Sequence, residues 1–232
     1  MQGTRLFVIP IVAGLSALSV SAAAQDAPSY PPLSDYFTPA GATATSPDED
    51  GFIRRWLLAE PIAKPNPTNW PFVGSYVRRE LDPAIFPGRF GTVPAEGQTA
   101  TVNGETLRWH ALDSRLWDVK LFNFAQALDK PKYGVIFWAV TVIDAPRDMD
   151  NVRLAAGSNS ASRWWVNGQE VATLVDDKRM VMDDVLSDRI TLKKGRNIVT
   201  GAVINGPGLS DFCIRFVDEA GRPVRDLSID IK

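Results

Sequence analysis

The sequence predicts an all-β sandwich behind an export signal. Three observations carry that expectation. Short segments rich in β-branched and aromatic residues follow one another, with turn residues spaced fairly evenly between them. One run, YGVIFWAVTVID from Tyr133 to Asp144, is apolar almost without a break, which in a strand means that both faces are covered. No stretch keeps a convincing helical period over several turns.

The chain has 232 residues, 45% of them hydrophobic and 22% charged, with a formal net charge of −2. That length suits one sizeable domain or two small ones. A near-neutral balance gives no reason to expect nucleic acid or an anionic membrane as partner. Arg5, the apolar run Leu6 to Val20 and the small residues Ala22, Ala23 and Ala24 have the order of a signal peptide cleaved before Gln25. The run is short for a membrane span and is interrupted by Pro10 and Gly14. The expected location is therefore secreted or periplasmic, with no span left after cleavage. Cys213 is the single cysteine, so no internal disulfide supports the exported fold.

Residues 25–47 are rich in Pro, Ala, Ser and Thr and read as an arm or linker. Tyr36 and Phe37 favour an arm that docks in part. The domain is expected over residues 48–232. Phe52 to Ile62 is its first strand. Ala63 to about Gly104 then reads as a long irregular connection with many prolines, holding a short helix near Gly74 to Leu81 and aromatics that include Trp70. Long connections of this kind are often functional. From Leu107 the expectation is strands: LRWHALD, VKLFNFAQAL, the apolar run, VRLAAG, SRWWVNG, QEVATLV, DRITLKKG, NIVTGAVING, SDFCIRFVDEAG and a closing LSIDI.

The tract Ala155 to Gly168, AAGSNSASRWWVNG, holds the most specific local signals. Neighbouring strand residues point to opposite faces, so Trp164 and Trp165 must diverge. Asn167-Gly168 suits the φ > 0 positions of a tight hairpin turn.

Gly157-Ser158, Trp165-Val166-Asn167-Gly168, Leu192 to Asn197 and Phe212 to Gly221, with the upstream GFIRRWLLAEPI, together resemble galactose-binding-domain-like modules. These are jelly-roll β-sandwiches attached to secreted glycoside hydrolases and acetylxylan-esterase-related proteins. The resemblance implies a jelly-roll fold and carbohydrate recognition. It also places Trp164 and Val166 in the core, leaving Arg163 and Trp165 on the opposite face. Related modules often carry an acidic pair after Gly-Ser in the turn; Asn159 and Ser160 stand there in this chain.

Catalysis finds little support in the residues. A Ser–His–Asp triad needs a base, and His110 is the only histidine, in mid-strand within RWHALD. No Gly-x-Ser-x-Gly elbow occurs, and Cys213 sits inside a strand. Acidic residues such as Asp144, Asp148, Asp150, Asp176, Asp177, Asp183 and Asp184 fall at turns and strand ends. That placement suits solvated edges or a structural calcium ion, although no EF-hand spacing is present. No cofactor is expected.

The expected function is non-catalytic recognition of a polysaccharide or oligosaccharide outside the cytoplasm. The ligand site is expected from Arg163, Trp165, Trp70 and Arg215, by ring stacking and paired hydrogen bonds. The competing reading has the arm or long connection covering Trp165, with Arg163 and Arg215 pairing nearby acids. A protein-interaction module whose partner is another exported protein is the first alternative function. An esterase or glycoside hydrolase is the second.

Overall fold

The computed structural model describes residue 33, residues 36–64 and residues 72–231. The expected signal peptide, 1–24, and Trp70 lie outside them. In chain order the strands are β1 (Phe37–Pro39), β2 (Arg55–Ala59), β3 (Ile62–Ala63), β4 (Thr99–Val102), β5 (Glu105–Ser114), β6 (Val135–Ala145), β7 (Met149–Ser158), β8 (Ser162–Val166), β9 (Gln169–Leu174), β10 (Val185–Leu186), β11 (Ile190–Leu192), β12 (Gly195–Asn205), β13 (Phe212–Val217) and β14 (Ser228–Ile229). Helix α1 (Gly74–Glu80) lies between β3 and β4, and α2 (Leu121–Ala127) between β5 and β6.

The strands form two antiparallel sheets, a β-sandwich. The larger runs β1-β5-β2-β6-β12-β8-β9, with β3 and β14 also on β6 and β4 on β5. The smaller gathers β10, β11 and β13 around β7. The long central pair of the larger sheet is β6 and β12, in unbroken register from Val135↔Asn205 to Ala145↔Gly195.

Two apolar layers share the larger sheet. Between the sheets lie Trp56, Phe137, Trp164, Val166, Phe212, Ile214 and Phe216, closed at one side by Leu121 and Phe124 of α2. On the outer face, Leu57, Trp109, Trp138, Trp165 and Ile204 are covered by Tyr76 and Val77 of α1 and by Phe86. The inner layer fits closely. Trp164 packs against Trp56 and Phe212 at ring distances of 5.9 and 4.9 Å. On the neighbouring strand a Cβ added at Gly201 would stand 2.1 Å from the Trp164 ring, so only glycine leaves room for the indole there.

After residue 36 the arm lies on the sandwich: β1 pairs with the end of β5, Phe37↔Ser114, and Thr45 bridges Ile229. Two expectations change. The segment VKLFNFAQAL is a helix rather than a strand. Its apolar residues Leu121, Phe124, Ala125 and Leu128 recur at helical spacing, and α2 uses that stripe to close the inner core. The connection from Ala63 to Gly104 ends in a hairpin, with Asn103 and Gly104 at φ 52° and 83° turning β4 into β5. Asn167 and Gly168 take φ 53° and 80° between β8 and β9, the turn that their sequence predicts.

At that end of the sandwich the residues of the resemblance tie turns together. Asn167 donates to Asn197 Oδ1 at 3.0 Å and accepts from the Ile198 amide at 2.9 Å. The Asn197 amide in turn donates to the Lys193 and Gly195 carbonyls at 2.7 and 2.9 Å.

Candidate functional site at the loop end

Of the four residues expected to bind sugar, Trp70 lies outside the described residues, and Arg215 is not brought together with Arg163 and Trp165. Trp165 is 3% exposed. It stacks on Trp138 at 5.7 Å, and the ring of Phe90 meets it edge-on at 5.5 Å. Arg163 lies beside it and is spent on the covering segment: Nη1 donates to the Arg78 and Leu81 carbonyls at 3.0 and 2.8 Å, and Nη2 to Glu170 at 2.6 Å. Arg215 stands on β13 in the other sheet. Its Nε donates to Asp183 at 3.0 Å, and its guanidinium lies 4.8 Å from the Phe52 ring centre. The covering arises because β8 presents Trp165 to the outer face, where the Pro-rich connection buries apolar surface of its own. Arg163 and Arg215 therefore lie on opposite outer faces; Arg163 keeps one buried nitrogen, Nε, without a partner.

The opposite end from the Asn167 turn gathers a different set. There the β7–β8 turn, the β9–β10 loop, the β12–β13 loop and the segment between α2 and β6 meet. Their contacts close a ring. The Lys178 amide donates to the Asn159 carbonyl at 3.0 Å, and Asn159 donates to the Asp211 carbonyl at 3.2 Å. Ser158 Oγ donates to the same Asp211 oxygen at 3.0 Å. Ser160 donates its hydroxyl to the Ile204 carbonyl. Asn205 donates to the carbonyls of Gly208, at 3.1 Å, and Lys132. Gly208 completes the ring: a Cβ there would lie 3.0 Å from both carboxylate oxygens of Asp177.

This end carries unmet hydrogen-bonding capacity. Asn159 Oδ1, Asn205 Oδ1, Ser210 Oγ and Asp211 Oδ1 are buried without a partner. Asn205 already commits its amide nitrogen to two carbonyls, and its oxygen is left without a partner. Such groups call for a donor, from ordered water or from a ligand. Above this floor Asp177 is exposed. Burial of its surroundings pushes the Asp177 carboxyl up from its ordinary value. Tyr133, 52% exposed, stands beside Phe122 at 5.5 Å and follows the Lys132 that Asn205 grips.

The β7–β8 turn carries no acidic pair. Asn159 brings no charge, and the Ser160 hydroxyl is bonded to Ile204. Among the described residues no three His, Cys, Asp or Glu side chains converge as a metal site.

No protein-family model matches the chain, and no curated protein matches it in sequence. Among solved structures it is similar to a PA14 sugar-binding domain from an RTX adhesin, at 12% identity and TM-score 0.44, over 75% of this chain and 96% of that one. It is also similar to a β-glucosidase from Kluyveromyces marxianus, at 14% identity and TM-score 0.37, over 73% of this chain and 17% of that one. A third is a β-glucuronidase from Ruminococcus gnavus, at 12% identity and TM-score 0.37, over 86% and 39%. The fold assignment rests on this chain's own strands and register. Among the described residues no helix is long and apolar enough to cross a membrane.

The two groups with nucleophile or base chemistry are both engaged. His110 Nε2 lies 3.3 Å from Glu60 Oε1, and its ring meets Phe124 edge-on at 5.5 Å. Burial, with Asp183 and Asp118 near, pushes the Cys213 thiol up to about 12, which leaves it protonated at neutral pH.

Sequence reasoning missed this end of the molecule. Asp177 was grouped with the turn acids, and Asn159 was noted for the charge it lacks. The signal present in the sequence was the density of Asn, Ser, Gly and Asp in SNSA and NGPGLSD, two loops that must meet if β7 and β8 flank the same core as β12 and β13.

Proposed function

We propose that the chain is a non-catalytic carbohydrate-recognition module acting outside the cytoplasm, with its site at the loop end. The observation that carries this reading is the ring of polar loops with unpartnered oxygen acceptors beneath an exposed carboxylate and an exposed tyrosine. Sugar hydroxyls are donors suited to Asp177, and a pyranose C–H face suits the ring of Tyr133. The sequence resemblance to jelly-roll carbohydrate modules supports the same reading, as does the export signal. Neither His110 nor Cys213 is placed for hydrolysis, which supports recognition without catalysis.

A glycan array and retention on insoluble plant polysaccharides test the proposal. Tyr133→Ala weakens retention by roughly 1–3 kcal/mol, with aromatic stacking of bases as the analogue, and Asp177→Asn weakens it as well. Absence of retention on every glycan rejects the reading.

One observation favours a second reading. Val181 and Met182 on the β9–β10 loop and Leu209 on the β12–β13 loop are exposed apolar side chains beside the same site. Exposed apolar patches mark protein contacts, and an exported protein is the partner they suit. Met182→Asp abolishes capture of such a partner and leaves glycan retention intact, which separates the two readings.

A further inference from the structure

A buried ion cluster lies directly under the loop end. Lys120 Nζ is 2.7 Å from Asp118 Oδ2 and 3.0 Å from Asp211 Oδ2. The two aspartates are 3% and 2% exposed. They come from different parts of the fold, Asp118 from the segment between β5 and α2, Asp211 from the loop between β12 and β13. Two carboxylates held together away from water repel each other unless a cation stands between them. Carboxylate oxygens from separate loops closing on one small cation is how a divalent ion orders loops. Here an ammonium group has that place.

Burial pulls the Lys120 pKa down, but hydrogen bonds to Asp118 and Asp211 together with their charge hold it above the ordinary lysine value, while burial pushes the Asp211 carboxyl up despite Lys120. Asp211 passes the order on. Its carbonyl accepts from the Asn159 amide and Ser158 Oγ. The next residue, Phe212, exchanges main-chain bonds with Val119 at 2.7 and 3.2 Å. Through Asp211 the lysine therefore fixes the β7–β8 turn.

We propose that Lys120 is an internal cation that orders the loop end in place of a divalent metal, so that ligand recognition here is independent of calcium. The part concerning recognition rests on the function proposed above; the part concerning order does not. Lys120 is a positioning residue that contacts no ligand.

The test is thermal unfolding of the mature chain with calcium and with EDTA. The wild-type midpoint is unmoved by either. Lys120→Met leaves two buried carboxylates facing each other, and its midpoint falls by roughly 6–20 °C. Millimolar calcium restores part of that loss, because the vacated place between two carboxylates takes a cation. Lys120→Met with Asp118→Asn, lacking one carboxylate, does not respond to calcium. A wild-type midpoint that rises with calcium or falls with EDTA overturns the proposal, whether or not the variant folds. So does a folded Lys120→Met chain with an unchanged midpoint, or a destabilised one that calcium does not move. Glycan retention in EDTA is the second arm: unchanged retention supports calcium independence, and loss on chelation overturns it. No retention under any condition rejects the proposed function and leaves the unfolding result standing.

Discussion

The guanidinium of Arg163 lies 4.9 Å from the ring centre of Trp165, so the cation and the aromatic ring expected to hold a sugar instead hold each other. Arg163 then bonds to two carbonyls at the end of α1, pinning the covering segment over Trp138 and Trp165. Trp165→Ala is expected to cost about 3–5 kcal/mol of stability, as for large buried aromatics. Urea unfolding measures it. Glycan retention by the folded fraction is expected to stay as in the wild type, because the ring is buried against Phe90 and Trp138; a stable variant that loses retention contradicts this placement.

Gly201 offers a test of the inner layer. Its missing side chain accommodates the Trp164 indole, and the rings of Trp56 and Phe212 hold that indole in place. Gly201→Ala is expected to destabilise by about 1–3 kcal/mol through overpacking. Ala202, one residue along, faces the outer layer, and Ala202→Gly does not relieve the clash. Denaturant midpoints of the single and double variants read both effects.

Acid sensitivity is expected at the Glu60–His110 pair. Burial alone would push the Glu60 carboxyl up, yet hydrogen bonds from His110 and Lys130 outweigh it and hold it below the ordinary glutamate value. A carboxyl lowered by folding adds stability above its unfolded pKa and loses it as pH falls through the folded value. Stability should therefore decline on the acid side of the usual glutamate range. Glu60→Gln should flatten that part of the profile, read by urea unfolding from about pH 7 down to about pH 3. An unchanged acid slope contradicts it.

Export is expected to remove the first 24 residues, counted from the Ala22-Ala23-Ala24 order before Gln25. Intact-mass measurement of the exported protein should find Gln25 as its first residue. An exported chain that retains Met1 contradicts the signal-peptide reading.

What was legible in the sequence was local. Asn167-Gly168 names its own turn, and the divergence of Trp164 from Trp165 follows from strand geometry alone. The apolar run of β6 announced burial on both faces, and both are buried. VKLFNFAQAL shows where local reading failed. Its aromatics suggest a strand, but the spacing of Leu121, Phe124, Ala125 and Leu128 is helical, and the tertiary need to close the inner core agrees with the spacing. The loop end was out of reach for a different reason. Lys120 and Asp211 are 91 residues apart, and their contact exists only once β13 lies beside the segment before α2. Likewise no local feature of SRWWVNG says that Phe90 will cover Trp165.

The burial of β6 on both faces carries a cost in specificity. A strand polar on one side can settle its alignment by keeping that side in water; β6 cannot, since a slip of one residue would only exchange one apolar layer for the other. Shape must decide instead. On β12, the partner of β6, the positions flanking Gly201 are Thr200 and Ala202, and each would place a side chain where the Trp164 indole lies. A glycine without chemistry of its own thus acts as the notch that sets the alignment of β12 against β8, and with it which loops arrive together at the far end.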